Sequence, residues 1–169
     1  MSYKSYRLTA AICVAGILSA CGSHLESEVS FQRTDGQKAM TTDLMTQVSP
    51  HSFDDTLAKV RAAIEKRPLK LFAEIDHAKG AQSADLELTP STLFVFGNPK
   101  GGTPLMARNP QMGIELPLKI HVYQTAEGVT VSYPNIKALA QSYGLDSTEP
   151  PVPNIANMLD DLVGEVTAE

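Results

Sequence analysis

The stretch LKIHVYQTAEGVTVSY, residues 118–133, contains two runs in which apolar and polar residues alternate around a short turn. Alternation with a period of two predicts strands that are buried on one side. The turn, residues 125–128, ends in a glycine, where a hairpin turn favours a positive φ. We therefore expect an antiparallel hairpin, with Lys119, His121 and Tyr123 on the side that faces solvent or a partner.

Upstream of this hairpin, helical and strand patterns alternate along the chain. Apolar residues recur at helical spacing from Phe53 to Ile64, after a start at Ser52 that resembles a capping box with Asp in its last position. Residues 69–76 alternate as a half-buried strand, and residues 77–84 are small and polar, which favours a short helix. The uncharged run 91–96 is rich in β-forming residues and predicts an interior strand.

The remaining elements complete an α+β pattern. Thr103 followed by Pro104 predicts the N-cap and first residue of a short helix. Downstream of the hairpin, Asn135 begins a helix that Gly144 ends, and residues 154–166 form a last amphipathic helix. This order predicts an α+β fold: a mostly antiparallel sheet with helices packed on one face, plus a C-terminal amphipathic helix.

The N-terminus has the pattern of a bacterial lipoprotein signal. Lys4 and Arg7 precede an uncharged, mostly apolar run that ends in Leu18-Ser19-Ala20-Cys21, which resembles a lipobox. The alternative is an ordinary signal peptide cut after Ala20, with Cys21 left as a free thiol. We predict a signal peptide over 1–20, a flexible tether over 21–44 that begins at lipidated Cys21, a compact domain over 45–145, and a proline-rich linker and helix over 146–169.

Cleavage and lipidation would restrict the chemistry of the mature chain. Cys13 leaves with the signal and Cys21 is acylated, so disulfides, thiolate metal sites and cysteine nucleophiles are excluded. The mature chain has 12 basic and 19 acidic residues, a net charge of −7, which argues against nucleic-acid binding. We expect attachment to the cell envelope through the lipid anchor. Because Gly22, and not Asp, follows Cys21, we expect the outer membrane, facing the periplasm, in a bacterium with two membranes.

The residues also resemble a known family. The marks of the resemblance are Asp76-His77, Phe96-Gly97-Asn98-Pro99, Thr103-Pro104-Leu105-Met106, Leu116-Pro117-Leu118-Lys119 and Tyr143-Gly144. Taken in this order, they resemble the bacterial and archaeal domain of unknown function (DUF) family 302 over residues 48–145. The resemblance implies a compact α+β domain that can associate as a homodimer. It implies no reaction and names no cofactor, ligand or protein partner.

The glycine-rich stretch around Asn98, Lys100 and Thr103 is a candidate ligand site and not a nucleotide loop. A P-loop requires a lysine directly after its second glycine, and here Thr103 follows Gly102. We interpret the stretch as a proline-braced turn, with an anion-binding role for the first N–H groups of the following helix as the alternative.

The other candidates are histidines. Asp76-His77 lies where a strand ends and is either a helix cap or an acid/base or ligand-binding pair. His77, His121 and Met106 are candidates for a soft-metal site, although no spacing requires one. We expect a lipid-anchored, non-catalytic module that binds a small ligand or a protein through the 98–106 loop and His77. The alternatives are an enzyme with His77 as general acid/base beside residues 97–104, and copper or other metal handling.

Overall fold

The computed structural model describes residues 44–169. The predicted signal peptide, the lipidation of Cys21 and residues 21–43 of the predicted tether lie outside the described residues. The elements are, in order, β1 (Leu44–Ser49), α1 (Phe53–Glu65), β2 (Lys70–Asp76), α2 (His77–Gln82), β3 (Ser91–Gly97), α3 (Pro99–Arg108), a 3₁₀ turn (Pro110–Ile114), β4 (Leu118–Thr125), β5 (Gly128–Pro134), α4 (Ile136–Ser142) and α5 (Val152–Thr167).

The five strands form one antiparallel sheet in the order β1-β5-β4-β3-β2. The predicted hairpin is confirmed: β4 and β5 are joined by two residues, and Gly128 has φ +131°. β3 lies between β2 and β4, as its uncharged sequence predicted. The α+β class expected from the sequence is therefore the observed one.

The core lies between one face of the sheet and the helices. Phe94 and Phe96 of β3 and Ile120 and Val122 of β4 are fully buried on that face. α1 packs against β4 and α5, and α5 also packs against α4 and β1. None of the helices in residues 44–169 is long and apolar enough to cross a membrane.

The C-terminal helix belongs to this core. α5 begins at Val152, two residues earlier than the sequence pattern predicted, and Leu159, Leu162 and Val163 are almost inaccessible to solvent. The residues after 145 therefore complete the packing of the sheet, although the sequence suggested that they lie beyond the family resemblance.

The predicted alternation of β2 is wrong in one respect. A β-bulge at Phe72 shifts the register, so that Leu71 pairs with Phe96 while Ala73 pairs with Val95. Leu71 and Ala73 therefore do not share one regular face. β2 is also an edge strand, which explains why most of it is exposed and not half-buried.

The predicted start of α3 is also wrong. The helix begins at Pro99, with Asn98 as its N-cap, and Pro104 lies inside it. Asn98-Pro99 carries the same cap-and-proline signal as Thr103-Pro104, and it comes first along the chain. The glycine-rich stretch is therefore the first turn of a helix and not a separate loop.

Candidate functional site

An apolar cavity of ≈ 250 Å³ opens beside the first turn of α3. Its apolar side chains come from four parts of the chain: the start of β2 and the residue before it, α3, the start of β4 and the residues before it, and α5. They are Leu69, Phe72, Pro99, Met106, Leu116, Pro117, Leu118, Ile155 and Met158. Thr103 and Asn98 supply the polar groups of the lining, and no residue of the lining ionises.

Two glycines of α3 leave room for this cavity. A methyl group added at Gly101 would lie 3.6 Å from Ile155 Cδ1, and one added at Gly102 would lie 3.2 Å from Leu116 Cδ1. Any larger side chain at these two positions would extend towards the walls of the cavity. The contact at Gly101 would be an ordinary van der Waals contact, whereas the one at Gly102 would be tight, and neither glycine has a positive φ.

The first turn of α3 does not offer its N–H groups to a ligand. The Lys100 N–H donates to Asn98 Oδ1 at 2.9 Å, and the N–H groups of Gly101 and Gly102 donate to the Asn98 carbonyl oxygen. Asn98 Nδ2 donates to the Pro68 carbonyl at 2.7 Å, so both ends of the Asn98 amide are bonded. The geometry gives no support to an anion site here, and the exposed Lys100 does not line the cavity.

The structure does not bring His77 to this cavity, contrary to the expected joint surface. Lys70 of β2 pairs with Gly97 of β3, whereas Asp76 pairs with Thr92 at the other end of the ladder. Six residues of strand separate the two ends by about 20 Å. Because the strands are antiparallel, His77 and Asn98 lie at opposite ends of the sheet. The glycine-rich stretch at the start of α3 therefore cannot assist a reaction at His77.

Asp76 caps the short helix that His77 begins. Asp76 Oδ1 accepts a hydrogen bond from the Lys79 N–H at 2.8 Å. The His77 ring instead contacts the His121 ring edge to face, with ring centroids 5.8 Å apart and planes at 87°. Asp76 therefore serves as the helix cap and His77 contacts His121, and Asp76 does not orient His77 through a hydrogen bond.

His121 lies in a small polar cluster on the sheet face opposite the core. Its Nε2 is 2.8 Å from Ser91 Oγ, and its ring stacks on Tyr123 with centroids 4.9 Å apart. Burial lowers the pKa of His121, and the nearby His77 lowers it further. His121 is therefore predominantly neutral at pH 7.

Met106 does not join the two histidines. It lines the cavity on the helical side of the sheet, whereas His121 projects from the opposite side. Within residues 44–169, no group of three or more His, Cys, Asp or Glu side chains is placed to hold a metal ion. The three-residue His77, His121 and Met106 site considered from the sequence is not assembled.

Sequence reasoning missed Phe72, Ile155 and Ser91. Phe72 follows Leu71 directly, and two adjacent large apolar residues in an alternating strand were the available signal of a bulge. Ile155 reaches the cavity from α5, and nothing in the sequence indicates that contact. Ser91 and His121 are 30 residues apart and meet only because β3 and β4 pair.

Comparison with known proteins identifies the domain. A family model described as "Domain of unknown function DUF302" matches residues 45–166, so the match continues well past residue 145, where we expected the resemblance to end. A crystal structure of an uncharacterised conserved DUF302 protein from Bacillus stearothermophilus has the same fold, with a TM-score of 0.60 at 17% identity. The alignment covers 73% of this chain and 94% of that one.

Curated relatives come from Brucella. Proteins of Brucella suis and Brucella abortus, both named fluoride-specific ion channel FluC 1, are each 36% identical to this chain over 107 residues. The aligned segment is 62% of this chain but only 42% and 40% of those proteins. The chain therefore matches about two fifths of the length of these curated relatives.

Proposed function

We propose that this chain, which belongs to the DUF302 family, is a non-catalytic module that binds a small apolar molecule in the cavity beside α3. The observation that carries the proposal is a cavity of ≈ 250 Å³ lined almost entirely by apolar groups. Sites that hold small molecules are commonly concave and mostly apolar, with a few polar groups that set orientation.

The size of the cavity limits the ligand. An engineered apolar cavity of about 150 Å³ binds benzene, so this one has room for a ring with a short substituent or for a short alkyl chain. Affinity would come from burying apolar surface, at about 0.8 kcal/mol for each methylene group. The Thr103 hydroxyl is the polar group of the lining that is left to orient such a ligand.

Binding fits this site better than catalysis. The lining has no acid, base or nucleophile of the kind that proton transfer and covalent catalysis use, apart from the Thr103 hydroxyl. Thr103 has no base beside it among the lining residues. Among residues 44–169, every buried side-chain nitrogen and oxygen has a hydrogen-bond partner.

Fluoride conduction is not part of the proposal. It is the activity in the names of the Brucella proteins, and the aligned segment is about two fifths of each.

We keep a lipid anchor at Cys21, a place in the cell envelope and a homodimer as proposals from the sequence. Native mass spectrometry of the full chain from bacterial membranes measures the mass of the lipid and the number of copies together.

Binding can be tested with n-alkanols of increasing length and the full chain. Calorimetry should show affinity rising about fourfold with each added methylene until the cavity is full. Gly101→Leu should fill the cavity and weaken binding at least about tenfold, without a positive-φ penalty, because Gly101 has ordinary helical geometry. Gly164→Leu is the matched control, since Gly164 is a helical glycine with nothing within 4 Å.

Two outcomes would reject the cavity as a binding site. Either no alkanol binds the wild-type chain near its solubility limit, or Gly101→Leu and Gly164→Leu bind the alkanols equally well. Thermal unfolding of both variants without alkanol shows that any difference in binding does not arise from loss of the fold.

A further inference from the structure

A pair of histidines, His77 and His121, lies on the sheet face away from the core. His77 is exposed at the start of α2, and His121 is half-buried in the middle of β4. They are 44 residues apart in sequence, and the fold places their ring centroids 5.8 Å apart. The cavity proposed above does not include either residue.

We propose that His77 and His121 form a two-histidine site for a divalent late transition metal, Cu(II) above all. Imidazole nitrogen is a preferred ligand of copper and zinc, and a given site generally binds Cu(II) more tightly than other divalent first-row ions. The remaining coordination positions would be filled by water, because no third His, Cys, Asp or Glu in residues 44–169 completes the group.

The separation of the rings fits one shared ion. A metal–nitrogen bond of about 2.0–2.1 Å places the metal about 3.2 Å from the centroid of the imidazole ring. At the ligand angles of tetragonal Cu(II), two rings on one ion therefore have centroids about 4.5 Å apart in cis positions and about 6.4 Å apart in trans positions. The observed 5.8 Å lies between these limits, and the two rings meet edge to face at 87°, so the exposed His77 side chain would have to rotate to share an ion with His121.

Ser91 provides the supporting contact that a ligating histidine usually has. In the tautomer with hydrogen on Nε2, His121 donates to Ser91 Oγ at 2.8 Å and keeps the Nδ1 lone pair for the metal. Stacking on Tyr123 fixes the plane of the same ring. One ligand is therefore held in place and the other is exposed, which predicts a readily exchangeable ion.

The test is Cu(II) titration of the full chain after its thiols have been alkylated with iodoacetamide. Calorimetry gives affinity and stoichiometry, and electron paramagnetic resonance counts the coordinated nitrogens. His77→Ala and His121→Asn should each lower affinity for one equivalent of Cu(II) at least about tenfold, and Ser91→Ala about 10–100-fold. His51→Ala is the matched control, because His51 binds the Ala168 carbonyl through Nε2 and does not contact the pair.

Equal Cu(II) affinity and stoichiometry in His77→Ala, His121→Asn and His51→Ala would overturn the site. The exposed position of His77 makes His77→Ala the decisive variant if His121→Asn does not fold. Histidines and cysteines outside the described residues are present in every variant, so they cancel in the comparison. A chain that fails to bind alkanols can still pass this test, which is independent of the cavity.

Discussion

The prediction with the largest effect concerns α5. Leu162→Ala removes a side chain that is 0% exposed, at the contact between α5 and the rest of the core. Truncating a fully buried leucine to alanine destabilises a protein by about 2–5 kcal/mol, the loss of transfer free energy plus the cost of the cavity. Asp161→Ala is the control on the same helix, because Asp161 is exposed and should change stability by less than about 0.5 kcal/mol.

Deletion of the whole helix gives a stronger form of the same prediction. Seven residues of α5 are buried: Val152, Ile155, Ala156, Leu159, Leu162, Val163 and Val166. At about 1.5–3 kcal/mol for each of the six larger ones, their burial contributes about 9–18 kcal/mol. Native domains are stable by only about 5–15 kcal/mol, so a chain that ends after Leu145 should not fold.

Urea unfolding followed by circular dichroism measures both effects. Leu162→Ala should shift the midpoint of unfolding without changing the slope, since the slope reports the surface exposed on unfolding. The shortened chain should show no cooperative transition. If it unfolds cooperatively with the wild-type midpoint, or if Leu162→Ala costs no more than Asp161→Ala, then α5 is an appendage and the packing described above is wrong.

Two further predictions concern the helix ends. Gly144 ends α4 with φ +72° and has nothing within 4 Å, so Gly144→Ala should cost about 1–2 kcal/mol through backbone strain alone, measured by urea unfolding. Glu165 accepts hydrogen bonds from Lys66 and Arg67, which lower its pKa below the ordinary 4.5. The native state therefore binds fewer protons than the unfolded state in acid, so this contribution is present above about pH 4.5 and is lost as pH falls through the lowered pKa. The stability of Glu165→Gln should fall below that of wild type at pH 6 and converge with it in acid; a pH-independent difference would contradict the assignment.

Much of the fold could be predicted because its signals are local. Alternation identified the β4–β5 hairpin, and Asn135 and Gly144 marked the two ends of α4. The start of α3 was mispredicted because two cap-and-proline signals occur five residues apart, and local chemistry alone does not choose between them. The bulge at Phe72 depends on pairing with β3, which a single strand pattern does not contain.

The candidate sites were harder because they depend on which strands pair. His77 and Asn98 each follow a strand, and the sequence suggested that they meet. Antiparallel pairing of β2 with β3 places them at opposite ends instead, while pairing of β3 with β4 brings Ser91 to His121. The cavity wall supplied by Ile155 depends on how α5 packs, and that information is spread over the whole core.

The two glycines in the first turn of α3 have a consequence for variation among related sequences. Gly101 and Gly102 border the cavity and have no side chain that would occupy it. A substitution at either position would therefore change the free volume of the cavity while the buried core stays unchanged. Alanine at either position would shorten the space by a methyl group, and a longer side chain would close it. Related domains can therefore differ in the size of the molecule that they admit while keeping the same fold. Such a difference would be visible in the residues that occupy these two positions.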